Sequence, residues 1–449
     1  MKTVEQLIEK WSPVLDAPGV NPITDTVRRQ TTAVLLENTE QDLIQTRQML
    51  AEAGPTTQTG QYGTAYPTDG TGLSKYDPIL ISMVRRSAPQ MIAYDICGVQ
   101  PLRQPTGLIF ALRSRYAAQN GLEAQFDEAN TAFSGIAGVS PGASTGSGQA
   151  TDATNPTNDF VFSDQDPSGT TSTAIVAPGT AMATAAGEAL GGGVTEFGEM
   201  SFTIEQMSVT AKTRALKAGY SVEFAQDVKN LHGLDADAEL SSILSTEILS
   251  EVNREVLRTI YAGAKIGAQD ATTTGVFDLL TDSDGRWLAE RHKGLLFQIE
   301  REANAIYQQT RRGKGNIMVC SSDVASALAM NGVLDYAPAL ANNINVDSAG
   351  ATFAGTFKNG MKVYVDPYSG VAGSNSQFAM IGYKGTSAWD AGQFYCPYVP
   401  LQIVRTTNPA TMSPVLAYRM RYGMAKNPFF NTAGRTNAYY RLFAVRNLI

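Results

Sequence analysis

Residues 77–116 read DPILISMVRRSAPQMIAYDICGVQPLRQPTGLIFALRSRY, and the rest of the chain is organised around them. The stretch carries four prolines, five arginines and two aspartates among many apolar residues. Ile79, Leu80, Met83 and Val84 share one face of a helix. Ser87 caps a second helix with Pro89 in its first turn, where a missing N–H costs nothing. Pro101 and Pro105 bound short extended pieces, and Gly107–Leu112 (GLIFAL) predicts a buried strand. Two short helices followed by two strands result.

Before this stretch, Val4, Leu7, Ile8 and Trp11 form the apolar stripe of an amphipathic helix that Pro13 and Pro18 end. A second helix runs from Asn21-Pro22 to about Ala53. Its Leu36, Leu43 and Leu50 lie seven apart, but the interleaved positions are too polar for a coiled coil. It is either a solvated helix with one apolar edge or a helix that binds a partner. Composition changes abruptly at Ala53-Gly54-Pro55, and a low-complexity run to about Thr71 predicts an extended arm.

After it, residues 117–198 are crowded with Gly, Ala, Ser, Thr and Asn. A loop of that size does not belong inside a compact domain, so it reads as an inserted excursion. Alternation over Ser201–Glu223 restores strand structure. Asp235 to about Ala262 is the best helix of the chain, capped by Asp235 or Asp237 and stopped at Gly263. At 1.5 Å per residue it is a rod of about 42 Å, long enough to span a domain. A helix over Leu288–Arg312, a strand at Asn316–Cys320 and a helix over Ser322–Met330 predict an α/β domain through about residue 395. Met361–Val365 and Phe378–Tyr383 add strands to its sheet. Leu401–Val404 and Val415–Gly423 read as two further strands.

The 449 residues are 43% hydrophobic and only 17% charged, a balance that favours surfaces hidden in an assembly. A net charge of −7 argues against nucleic-acid binding as the main task. Cys97, Cys320 and Cys396 lie far apart and suit reduced, buried thiols. No apolar run approaches the length of a membrane span, and no secretory signal opens the chain.

Signals for chemistry are poor. Only His232 and His292 are present, and His292, between Arg291 and Lys293, reads as a solvated surface residue. Gly142–Gly146 (GASTG) spells a nucleophile elbow but lacks the strand and helix that strain it. Asp282–Gly285 (DSDG) hints at a calcium loop, yet Leu280 and Arg291 fall where acidic ligands belong, so a turn between helices is expected. Gly313-Lys314-Gly315 lacks the spacing of a phosphate loop. No catalytic, cofactor or metal site is expected.

Residues 77–95, residues 105–116 and Tyr418–Met424 (YRMRYGM) closely resemble the major capsid proteins of T-even-type tailed bacteriophages and their cyanophage relatives. The order of elements agrees over essentially the whole chain. The resemblance implies the α+β Hong Kong 97-type phage capsid fold: a peripheral domain with a long spine helix and a long sheet, an α/β axial domain, an extended loop, an N-terminal arm and an insertion domain. Carried onto this chain, 1–52 becomes a cleavable propeptide and 53–76 the extended arm. Residues 77–116 start the peripheral domain, and 117–200 form the extended loop plus a Gly/Ser/Thr-rich insertion. Residues 201–269 hold the spine helix, 270–395 the axial domain, and 396–449 return to the peripheral domain.

The function so implied is mechanical. Hexamers would build an icosahedral or prolate head shell around phage DNA, in the host cytoplasm, and end as the virion capsid. Besides itself, the implied partners are a vertex protein, a portal, a scaffold core, a prohead protease and decoration proteins. DNA would be met nonspecifically at most, and no membrane is involved. The family's protease cuts after Ile/Leu-x-Glu, and Leu50-Ala51-Glu52 places the cut before Ala53, where composition changes. Leu7–Glu9, Leu35–Glu37, Leu249–Glu251 and Leu288–Glu290 also match. The prefix holds eight acids and five bases, net −3, leaving −4 of the chain's −7 for the remainder. Arg85, Arg86, Arg103, Arg113 and Arg115 are candidate inter-subunit contacts. The rival readings are the paralogous pentameric vertex protein, an encapsulin-like compartment shell, and an enzyme.

Overall fold

The computed structural model describes residues 4–16, 23, 25–52, 91–121, 124, 133, 184–188, 198–283, 287–330, 334–336, 352–357, 359–368, 377–387, 389–408, 411, 413–427 and 435–448. The expected helices over 79–90, the arm over 53–76, the GASTG segment and most of the 117–200 excursion lie outside these residues. Within the excursion a five-residue helix spans Thr184–Glu188. By the way the chain folds back on itself, Ile109–Met207 with Thr310–Arg312 form one compact unit and the remainder forms the other.

In the larger unit, α1 (Val4–Leu15) and α2 (Thr26–Glu52) make a hairpin. Leu7, Trp11 and Leu15, spaced four apart, bury against Ala33, Val34 and Leu36. The helix passes Pro13 instead of ending there. Burial of Leu15 outweighs one hydrogen bond lost in the last turn. The short α3 (Ala93–Ile96) leads into β1 (Gly98–Val99), and β2 (Thr106–Tyr116) follows. With the Thr184–Glu188 helix as α4, the next elements are β3 (Met200–Thr210), β4 (Lys212–Gly219), α5 (Val222–His232) and α6 (Ala236–Gly263). The long helix α6 begins as the sequence predicts: Asp235 is the N-cap and accepts from the Asp237 N–H at 3.2 Å.

Short strands β5 (Ala264–Ile266) and β6 (Val276–Asp278) precede α7 (Leu288–Thr310), β7 (Ile317–Cys320) and α8 (Ser322–Met330). Then come β8 (Leu334–Tyr336), β9 (Thr352–Phe357), β10 (Lys362–Val365) and β11 (Gln377–Gly382). The long strands β12 (Gln393–Thr407), β13 (Pro414–Lys426) and β14 (Asn437–Arg446) close the chain. One sheet has the order β1-β12-β13-β4; the larger runs β5-β14-β11-β7-β10-β9-β8, with β6 also on β14.

Strand β7 shows why the larger sheet reads as a continuous apolar run. Ile317 and Val319 enter a core shared with α6, while Met318 and Cys320 enter the core under α7 and α8. Both faces are covered, so no alternation survives in the sequence. The four-stranded sheet is covered by α6 on one face: Leu416, Tyr418, Met420 and Tyr422 of β13 meet Leu244, Ile248, Val252 and Val256.

The last strand, β14, is not singled out in the sequence; it pairs with β11 along Gln377–Gly382, inside the larger sheet. Its Tyr440, Phe443 and Val445 are apolar enough for either sheet, so local pattern cannot choose between them. At its centre Arg441 forms a buried ion pair with Glu302 of α7 at 2.9 Å. Glu302 also accepts from the Ala268 N–H at 2.7 Å and from Gln298 at 2.8 Å. Against expectation, strand structure does not continue to Glu223. It stops at Gly219, and α5 takes over.

Candidate functional site: the assembly surfaces

Strands β2 and β3 form a two-stranded ribbon. Arg113 and Arg115 each lie 3.5 Å from Glu205. Arg115 also donates to the Thr203 hydroxyl at 3.2 Å and to the Gly121 carbonyl at 2.8 Å. Odd-numbered residues of both strands therefore share one face. The even-numbered face carries Phe110, Leu112, Met200, Phe202 and Ile204, all more than half exposed; Leu112 and Phe202 reach 62%. A strand pair made for a lone chain would do the reverse, with apolar side chains inward and charges outward.

The GLIFAL strand is thus only half buried. Ile109 and Ala111 are covered, but Leu108, Phe110 and Leu112 are not. The run is apolar on both faces, but only its odd-numbered face is buried among the described residues.

A second apolar surface lies on α5. Ser221 caps it by accepting from the Phe224 N–H at 3.2 Å, and Gly233, at a left-handed φ of 69°, closes it. None of its residues is buried, and Val222, Phe224 and Leu231 are exposed. The cap pair Ser221 and Gly233 was legible in the sequence, but alternation over the preceding strand concealed it.

Of the five candidate arginines, Arg113 and Arg115 come together on the ribbon, held by Glu205 of their own chain. Arg103 is exposed in the connection between β1 and β2. Arg85 and Arg86 lie outside the described residues.

The N-terminal hairpin is held against the rest of the larger unit through polar contacts. Arg28 of α2 pairs with Asp95 at 2.6 Å. The Asn38 amide donates to the Leu102 carbonyl at 2.7 Å and to the Tyr398 carbonyl at 2.8 Å, at the bulge in β12. Asp42 pairs with Arg419 at 2.8 Å and accepts from Gln402 at 3.2 Å. At the start of α2 a cavity of about 320 Å³ is lined by Asp25, Arg28, Asp95, Lys362 and Lys384, among others. Burial lowers the Lys384 pKa, and its ammonium donates to the Tyr94 carbonyl. Glu52 is the last residue of α2, so the proposed cut falls at a helix end, whereas Leu35–Glu37 sits mid-helix and Leu249–Glu251 lies within α6. Ala53 lies outside the described residues.

The two histidines sit on different helices, α5 and α7. His292 is buried, contrary to the surface reading, with Nε2 3.3 Å from the Leu448 carbonyl; His232 is exposed. A charged-looking sequence neighbourhood misleads because a helix sends successive residues to different faces. Burial pushes the Cys97, Cys320 and Cys396 thiols up to about 12. Asp282 accepts from the Thr272 N–H and hydroxyl and from the Asp278 N–H, so its carboxylate is held by its own chain; Asp284 and Gly285 of the DSDG segment lie outside the described residues. Among the described residues no three His, Cys, Asp or Glu side chains cluster as metal ligands, and no helix is long and apolar enough to cross a membrane.

The exposed apolar faces of the β2–β3 ribbon and of α5 are surfaces suited to contact with other chains. The family model for major capsid protein Gp23 matches residues 73–445, and the chain belongs to that family. The major capsid protein of Serratia phage KSP90 is 37% identical over 99% of this chain and 98% of its own length. The capsid vertex protein of Enterobacteria phage T4 is 25% identical over 52% of this chain and 54% of its own, so the vertex reading is not favoured. Among solved structures, the capsid of Myoviridae phage XM1 aligns with 79% of this chain and 92% of its own, at 8% identity and a TM-score of 0.40. The protein is a structural component of a bacteriophage head shell and not an enzyme.

Proposed function

We propose that this chain assembles into hexameric capsomers of an icosahedral or prolate shell that encloses phage DNA. The exposed apolar face of the β2–β3 ribbon carries the reading. Five large exposed apolar side chains on one face of a strand pair are a cost in a soluble monomer and an adhesive surface in an assembly. Assembly starts as a scaffolded prohead with 1–52 in place. A prohead protease then cuts irreversibly after Glu52, and the shell expands. A vertex protein, a portal and decoration proteins complete the particle. The arginines that the ribbon holds against Glu205 stiffen it for contact, and Arg103 remains a candidate contact beside it in sequence.

Electron microscopy of the expressed chain, with and without the matching protease, tests the reading. Six-membered rings or closed shells support it; a protein that stays monomeric at every concentration refutes it. The cut is tested separately by mass spectrometry of virion protein, where an intact Met1 sinks it.

A further inference from the structure

The four-stranded sheet has a second face, opposite α6. Residues alternate across a strand, so with Tyr418 and Met420 turned to α6, Ala417, Arg419 and Arg421 turn away. Their cross-strand partners share that face. On β4 these are Lys217, Ala215 and Thr213; on β12 they are Val404, Gln402 and Val399. Every charged side chain in this set is a cation: Lys217, Arg419 and Arg421. Arg419 and Arg421 stand two residues apart, about 6.8 Å along the strand, and Lys217 is exposed on the neighbouring strand. The Arg421 guanidinium stacks on Tyr398 at 5.1 Å, and its Nε is buried without a hydrogen-bond partner. The acid that meets this face comes from the prefix: Asp42 of α2 on Arg419. Asn38 of the same helix holds α2 down beside it.

We propose that this face is a binding site for the sugar–phosphate backbone of DNA, built from Lys217, Arg419 and Arg421, and that residues 1–52 mask it until a cut after Glu52 lets them leave. The inference rests on the cut in the proposed function. A net −3 prefix occupies the place of a polyanion, and its loss leaves a cation row with no acid among the paired strands. Phosphates are the fitting ligand because guanidinium groups bind them in a bidentate, geometry-matched way and a lysine adds a point charge. Binding is blind to sequence, since strand-borne cations reach the backbone and not the base edges.

The test uses the full chain with a site-specific protease sequence inserted between Glu52 and Ala53, and a labelled short duplex of random sequence. Anisotropy is read against salt before and after the cut. Three phosphate contacts give a slope of log K against log salt of about −2.7, so the affinity gained on cutting falls by about 40-fold between about 50 and 200 mM salt. The triple change Lys217→Gln, Arg419→Gln and Arg421→Gln removes that gain while circular dichroism stays native. In the uncut chain, Asn38→Leu loosens the mask and raises DNA affinity without any cut. No gain on cutting, a gain that survives the triple change, or retention of the cut prefix at high salt each overturns the proposal. Loss of chain–chain association in the triple variant with DNA absent also overturns it, and assigns the face to a second copy. The inserted site makes the result independent of the native cut. An intact Met1 in virions refutes that cut alone, and a failed DNA gain leaves it standing.

Discussion

Changing Phe202 to Ser should separate folding from assembly. Phe202 is 62% exposed on the ribbon's apolar face and contacts little of its own chain. Burying a Phe side chain completely is worth about 1.5–3 kcal/mol, so the exposed part has about 1–2 kcal/mol still to gain at an interface. Loss of that gain weakens each subunit contact by about 5- to 30-fold. In a closed ring each subunit makes one such contact, so the critical concentration for assembly rises by the same factor. Folding should change by less than about 0.5 kcal/mol, the usual cost of a surface substitution. Light scattering against protein concentration measures the first quantity, and thermal melting of the dilute monomer the second. Unchanged assembly, for both Phe202→Ser and Phe110→Ser, would remove the ribbon face from the interface. A melting temperature that falls with assembly would show the face to be part of the fold instead.

Three further outcomes follow from the interior. Glu302→Ala leaves Arg441 buried and unpaired, and should cost about 3–5 kcal/mol in a urea titration; replacing both partners by Met and Leu should cost much less. Burial opposes the ionised form of Asp282, but hydrogen bonds from Thr272 and Asp278 prevail and lower its pKa below the usual 3.8. A lowered native pKa gives stability that is present above the unfolded value and lost as pH falls through the native one. Asp282→Asn should therefore lower the melting temperature near neutral pH, with the difference persisting down to about 3.8 and closing only as pH falls further. Finally, the three buried thiols should resist a thiol reagent at about pH 8, because only an exposed thiolate reacts. Full labelling should appear only with urea unfolding; a thiol that reacts in the native chain would place it at a surface.

Local pattern was enough for elements whose cause is local. The long helix α6 is written in its 3.6-residue apolar spacing and in Asp235 and Gly263 at its ends. The helix Ser322–Met330 and the strand before it are equally plain, because burial on both faces leaves an uninterrupted apolar run. The change in composition at Ala53 marked a boundary, and α2 ends one residue before it.

What the tertiary structure alone decided was which face of an apolar element has a neighbour. GLIFAL reads the same whether Phe110 meets a core or nothing, and only folding shows that β3 offers it a flank and no lid. His292 sits among charges in sequence and under Leu448 in space. Strand β14 could have extended either sheet; pairing with β11, sequence-distant by some sixty residues, settled the choice. The cations of β4 and β13 lie about two hundred residues apart in sequence, and register alone brings Lys217 level with Ala417 and beside Arg419. Sequence encodes the period and the caps of each element through short-range sterics and hydrogen bonding. Burial and charge pairing are properties of neighbours that long-range chain closure chooses, and so they appear only once the chain is folded.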